Sequence, residues 1–302
     1  MQFRKLILFA ASAALVLVAM NSIASASSFS SVIVYGDSLS DNGNLYSLAG
    51  YPPSPPYYLG RFSNGPVIAE QLATDLGAAL YDFAFGGATS GVGNYIDGGS
   101  QTALGGSGLP GMKLELAGSA ALLSSPLTAT GLFVVWGGAN DFLTGGTAAV
   151  GVADIDSIIA ALEGDGAKHI LVPGMPDLGL TPEFFGDPVA TAYSQQFNTL
   201  LLASLPAGAT YVDTYNLLHQ VESNPGGYGL TDVTDPCFNG VSVCSNPSQY
   251  LFWDGFHPTT AADAIVAQRF ASTVTTPEPS TFLLLGTGIP GLIMLIRRRR
   301  TA

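Results

Sequence analysis

The chain has 302 residues, 47% of them hydrophobic and 11% charged, with a formal net charge of −12. Six of its ten basic residues sit in two terminal segments, and the remainder, Arg61, Lys113, Lys168 and Arg269, face 21 acidic residues across 27–276. Such a surface repels nucleic acid and anionic membranes, which excludes polyanion binding.

Residues 1–26 begin with Arg4 and Lys5, run apolar from Leu6 to Met20 and end on Ala24-Ser25-Ala26. A basic start, a short apolar core and an A-x-A site describe a secretory signal peptide cut before Ser27. The stretch 27–276 then has the length of one α/β domain with an ample core.

Within it, the spacing predicts a buried strand over 31–36, where Val32-Ile33-Val34-Tyr35 gives way to Gly36-Asp37-Ser38-Leu39-Ser40-Asp41. In an α/β sheet the carboxyl end of a strand is where ligands meet the protein, and a hydroxyl there becomes a nucleophile if a base reaches it. A helix over 65–76 comes next, with Pro66 at its N-terminus, and then a strand over 79–84. Phe85-Gly86-Gly87-Ala88-Thr89 comes after that strand; its glycines let the backbone approach a ligand and aim an N–H at it. The Gly- and Ser-rich stretch 86–111 has no period and reads as a long surface loop. A third strand, 131–136, runs into Gly137-Gly138-Ala139-Asn140-Asp141, which adds a side-chain amide donor. Next come a helix over 152–163, a strand over 168–173, a helix over 189–204 and a strand over 209–213.

Cys237 and Cys244 are separated by six residues in a loop of Asp, Pro, Asn and Gly, so after export they pair as a disulfide that staples the loop leading to Asp254. With no further Cys and no nearby His pair, no metal site is expected. Asp254-Gly255-Phe256-His257-Pro258 supplies an acid and a histidine three residues apart, and Pro258 opens a last helix over 258–272. His169 before its strand and His219 in an apolar helical stretch, with no acid placed as a partner, read as structural. Five strands separated by helices predict a parallel sheet covered on both faces.

Ser38 alone fits a turn and Asp254-x-x-His257 alone fits a helix cap. Taken together in chain order, though, the blocks supply a nucleophile, a base, a base-orienting carboxylate and oxyanion donors, the content of an acyl-transfer site. These blocks resemble the GDSL esterases and lipases, or SGNH hydrolases. Tyr35 to Asn44 matches the first block, Gly86-Gly87-Ala88-Thr89 the second, Gly138-Ala139-Asn140-Asp141 the third and Asp254 to Pro258 the fifth, while Gly60-Arg61-Phe62-Ser63-Asn64-Gly65 resembles the lipase-like branch. The resemblance implies a three-layer α/β/α fold with a five-stranded, flavodoxin-like parallel sheet. It implies Ser38 as nucleophile, His257 as base, Asp254 as the acid that orients it, and the Ser38 N–H, Gly87 N–H and Asn140 amide as the oxyanion hole. Gly86, beside Gly87, stands as the alternative donor. No cofactor is implied.

The expected substrates are carboxylic esters with short or medium acyl chains, with long-chain lipid and O-acetylated polysaccharide left open. Tyr51 to Leu59, an aromatic and proline-stiffened segment, reads equally as a pocket wall and as a packed surface loop. A carbohydrate O-acetylesterase and a non-catalytic surface or matrix binding protein are the competing readings.

The end of the chain reads Pro277-Glu278-Pro279, then apolar Thr281 to Ile296, then Arg297-Arg298-Arg299-Arg300. This tripartite arrangement resembles the PEP-CTERM sorting signal of Gram-negative bacteria. It implies recognition of 277–302 by an exosortase-type processing enzyme, transient membrane association through 281–296, and release to the cell envelope or the outside.

Overall fold

The apolar runs at 31–36 and 131–136 lie side by side at the centre of a five-stranded parallel sheet in the computed structural model, which describes residues 29–275. The expected signal peptide and sorting tail lie outside the described residues. In chain order the elements are β1 (Ser31–Gly36), α1 (Asn44–Ala49), α2 (Ile68–Leu76), β2 (Ala79–Asp82), α3 (Met112–Gly118), α4 (Ala120–Leu123), α5 (Leu127–Thr130), β3 (Leu132–Trp136), α6 (Ala139–Leu143) and α7 (Ala148–Gly164). They continue with β4 (His169–Pro173), α8 (Pro188–Ser204), β5 (Ala209–Val212), α9 (Thr214–Ser223), β6 (Asp232–Pro236), β7 (Tyr250–Phe252) and α10 (Thr260–Thr275).

The strand order is β2-β1-β3-β4-β5. The chain leaves β1 toward one edge and later returns to β3, so a crevice opens between the carboxyl ends of these two strands. Every residue of β1 and β3 is buried, as expected for strands covered on both sides. Alternation divides their side chains between two cores. Ile33, Tyr35, Phe133, Val135, Ile170 and Val172 pack with the apolar sides of α7 and α8. Trp136 points the other way and meets Phe270 of α10 edge-on, with ring centroids 5.4 Å apart. The helices therefore form a layer on each face. A second, two-stranded parallel sheet, β6-β7, stands apart from the first.

Element ends differ from the expected ones for identifiable reasons. β2 stops at Asp82 because its carboxylate accepts the Ala84 N–H (2.9 Å) and turns the chain, while the other oxygen accepts the Asn42 N–H (3.0 Å). α2 begins at Ile68, leaving Pro66 ahead of the helix; Glu70 reaches back to accept the Val67 N–H. α10 begins at Thr260, not Pro258, with the Thr259 hydroxyl accepting the Ala262 N–H. The short helices α3 to α6 and the β6-β7 pair have too few residues for a period to show in the sequence.

The stretch 86–111 is a surface loop only in part, exposed mainly over 102–108. Ala88, Thr89, Ser90 and Asn94 are fully buried, and a 3-10 turn spans Tyr95–Asp97. Gly91 permits this: a Cβ there would come within 1.9 Å of the Gln101 carbonyl oxygen, so two backbone stretches touch with no side chain between them. The Asn94 amide donates to the carbonyls of Gly86 (2.9 Å) and Pro110 (3.1 Å) and satisfies backbone acceptors that burial would otherwise leave unpaired.

Candidate active site

Immediately after β1 the backbone turns, with the Asp37 carbonyl accepting the N–H groups of Ser40 and Asp41 (3.0 Å each). The Asp41 carboxylate then anchors the start of α1 and the loop after β2. It accepts from the N–H groups of Gly43 (2.8 Å), Asn44 (2.6 Å) and Leu45 (3.2 Å) at the first of these, and from Gly86 N–H (2.7 Å) at the second. One carboxylate thus locks the first and second sequence blocks together. Glu115 of α3 does the same from below, accepting the Gly36 N–H (2.9 Å) and the Phe85 N–H (3.1 Å). Asp141 of α6 ties in the third block by accepting from the backbone N–H and hydroxyl of Ser90.

On this scaffold Ser38 meets His257, whose Nε2 lies 2.8 Å from Ser38 Oγ. Asp254 faces the other ring nitrogen, with its oxygens 2.8 and 2.9 Å from His257 Nδ1. The same carboxylate accepts the backbone N–H groups of Phe256 (2.9 Å) and His257 (2.8 Å), so the three-residue spacing serves the turn as well as the ring. Burial pushes the Asp254 carboxyl up. The His257 charge, the bond to its ring, the Phe256 N–H and the Tyr57 hydroxyl together outweigh that and bring it down to about 2. Ionised Asp254 accepts, so Nδ1 carries the ring proton and Nε2 offers its lone pair to Ser38. The Phe62 ring lies 4.9 Å from the imidazole, centroid to centroid, and covers it.

Groups able to donate to an anion line the cleft at Ser38. Among the described residues, the backbone N–H groups of Ser38 and Gly87 have no acceptor, and both residues line the cleft. The Gly86 N–H is held by Asp41, which leaves Gly87 as the free donor of the two glycines. Gly87 sits at φ +79°, in the left-handed region where a side chain would strain the backbone. Asn140 on α6 lines the same cleft; its Nδ2 donates to the Ala88 carbonyl (3.0 Å) and stands 3.5 Å from Asp37 Oδ2. Ser38, Gly87, Asn140, Asp254 and His257 are therefore brought together at the β1/β3 crevice.

Cys237 and Cys244 are joined with an S–S distance of 2.03 Å. The bridged loop hangs on the strand that leads to Asp254: the Cys237 N–H donates to the Phe252 carbonyl (3.0 Å) and the Phe238 N–H to that of Trp253 (2.6 Å). His169 is the exposed first residue of β4. His219 does have an acid partner, contrary to expectation: its Nε2 lies 3.1 Å from the buried carboxylate of Asp177, which the fold brings in from the far end of β4. Asp177 also accepts from Gly179 N–H (3.0 Å) and Thr191 Oγ1 (2.8 Å), so the pair ties α9 to the β4–α8 connection.

Tyr57 is the contact that sequence reasoning missed. Its hydroxyl donates to Asp254 Oδ2 at 2.7 Å across 197 positions, and its ring packs against Phe62, Phe238 and Trp253. The proline-stiffened segment was the available signal, but a bond at that separation leaves no mark in the chain.

The buried carboxylates set the pH at which the fold is most stable. Burial raises Asp37 and Asp141 to about 6, and raises Asp41, Asp82, Glu115 and Asp263 as well. A raised carboxyl stays protonated in the fold after the unfolded chain has lost its proton, so its stabilisation is complete below 3.8 and lost as the pH climbs through about 6. Asp254 acts in the opposite sense, losing its contribution only as the pH falls from 3.8 toward 2. Thermal unfolding at pH 5 is accordingly expected on the order of 5 °C above that at pH 8. An equal or higher midpoint at pH 8 would contradict this.

The model of the GDSL-like Lipase/Acylhydrolase family matches residues 32–270. The chain is 33% identical over 281 residues to a phosphatidylcholine-sterol acyltransferase of Aeromonas hydrophila, covering 84% of this chain and 81% of that one. It is 28% identical to the thermolabile hemolysin of Vibrio parahaemolyticus, with 79% and 62% coverage, and 28% identical to esterase EstA of Pseudomonas aeruginosa, with 86% and 49%. It thus spans most of the first relative but only half to two thirds of the other two. Among solved structures, a catalytic mutant of an acetylxylan esterase from Geobacillus stearothermophilus superposes with a TM-score of 0.50 at 13% identity, over 82% of this chain and 95% of that one; this likeness is one of fold.

Proposed function

The chain belongs to the GDSL-like lipase/acylhydrolase family, whose members are ester hydrolases and acyltransferases, and on that premise we propose that it is an exported serine esterase working through an acyl-enzyme on Ser38. The observation that carries this reading is the continuous Ser38–His257–Asp254 relay, each step 2.8 Å, at a cleft with two unpaired backbone donors. An enzyme family sets aside the binding-only alternative.

The steps follow from the geometry. His257 Nε2 takes the proton of Ser38 Oγ as that oxygen bonds to the ester carbonyl carbon, and the N–H groups of Ser38 and Gly87 with the Asn140 amide hold the oxyanion. Asp254 stabilises the imidazolium through Nδ1. Collapse breaks the bond to the alcohol oxygen, which leaves with the proton from His257. Water then attacks the acyl carbon by the same route, returning the acid and free Ser38. The purified protein should hydrolyse p-nitrophenyl butyrate with the release of one acid per nitrophenolate. No turnover at any pH between 5 and 9 would refute the proposal.

The export part of the proposal rests on the layout of 1–26 and 277–302, which supports passage across the inner membrane and processing of the tail by an exosortase-type enzyme, with 281–296 as a transient membrane segment. Deleting 277–302 should change the protein's distribution between membrane and medium while leaving ester hydrolysis intact. An unchanged distribution would refute the sorting role.

A further inference from the structure

The cleft at Ser38 encloses a volume of about 210 Å³, more than an acetyl group needs. It extends from Ser38 and His257 past Trp136 and Phe252 to a space between two helices. On one side, α9 presents Thr214, Leu217, Leu218 and Val221, the i, i+3, i+4, i+7 pattern of a single helix face. On the other, α10 presents Ala262, Ile265 and Val266 in the same way. Away from the catalytic groups and the mouth, the polar side chains of the lining are Trp136, Thr181 and Thr214, and the indole N–H and both hydroxyls already donate to backbone carbonyls, Trp136 and Thr214 to Gly174 and Thr181 to Leu178. Such a wall has no free donor to offer the hydroxyls of a sugar, but it removes methylene groups from water.

We propose, on the reading of Ser38 as the nucleophile, that the space between α9 and α10 is the acyl-chain site, and that its length selects esters of medium-chain fatty acids over acetyl esters of carbohydrate. The face from Thr214 to Val221 rises about 10 Å along its helix, room for a chain of roughly eight carbons. The chain enters with its carbonyl at Ser38 and its methyl end between Val221 and Val266. Leu218 and Val266 are half-buried wall residues on helices that carry none of the catalytic groups, so enlarging them fills the space between α9 and α10.

The test is kcat/KM for p-nitrophenyl acetate, butyrate, octanoate and palmitate, together with hydrolysis of acetylated xylan, using the full-length protein and the variants Val266→Trp and Leu218→Trp. Each methylene that enters the site should raise kcat/KM about fourfold, so octanoate, with its additional methylenes, exceeds acetate by roughly 4000-fold, with no further gain at palmitate. Either tryptophan should cut the octanoate value at least tenfold and leave the acetate value within twofold, which also reports that the variant is folded. Two results would overturn the acyl site while leaving the serine-esterase reading standing: acetate or acetylated xylan as the best substrate, or tryptophan variants that lower all esters equally. Absence of turnover with every ester in the unsubstituted protein would instead remove the reading on which the site rests.

Discussion

Ser38→Ala is expected to lower kcat for p-nitrophenyl butyrate by about 10⁴–10⁶ while leaving KM and the unfolding midpoint nearly unchanged. Ser38 Oγ contacts His257 Nε2 at 2.8 Å and is otherwise free to attack, so removing it deletes the bond-forming atom and little else. His257→Ala should cost about as much, because a hydroxyl with no base beside it is a poor nucleophile at neutral pH. Since the two act as one unit, the double variant should be scarcely slower than either single one. Losses that multiplied in the double variant would mean that the two side chains act in separate steps. Initial rates, measured at enzyme concentrations high enough to detect the residual activity, decide this.

Asp254→Asn should reduce kcat by about 10⁴ with little change in fold. The amide keeps an oxygen for the backbone N–H groups of Phe256 and His257, so the turn survives. What changes is the ring: without a carboxylate at Nδ1 the imidazole loses both its favoured tautomer and the charge that stabilises the imidazolium. The loss should nevertheless be smaller than for His257→Ala, since Nε2 is still present to take the proton. Tyr57→Phe is the graded control. It removes one of the hydrogen bonds that keep Asp254 ionised and oriented, and about a tenfold fall in kcat is expected, a magnitude consistent with a single charge-assisted bond. If Asp254→Asn were no slower than Tyr57→Phe, Asp254 would be a turn residue and not the orienting acid.

The parts that the sequence shows plainly are those whose cause is local. β1, β3 and β4 are covered on both faces and appear as apolar runs ended by small residues, so their positions and the crevice beyond them could be read directly. Ser38 and Asn140 sit at fixed offsets from the ends of β1 and β3. Other parts depend on partners brought in from a distance. Asp41 and Glu115 look like ordinary acidic residues of a turn and a short helix, yet they hold the N–H groups that align the first and second blocks. Which of Gly86 and Gly87 keeps a free N–H could not be told until Asp41 was seen to hold the other. The Asp177 partner of His219 lies 42 positions away, and Tyr57 and Asp254 are separated by 197. Residues 86–111 misled for a related reason: with small side chains and much glycine the stretch has no hydrophobic pattern, but the missing side chains are what allow its backbone to be buried.

The most direct test of the central claim is the site of covalent capture by a fluorophosphonate, which reacts with a serine activated by an adjacent base. Peptide mapping of the fully inhibited protein should place one phosphonyl group per chain on Ser38, and Ser38→Ala and His257→Ala should remain unlabelled under the same conditions. A label on another residue, or undiminished labelling of the Ser38→Ala variant, would contradict the assignment of Ser38 as the nucleophile.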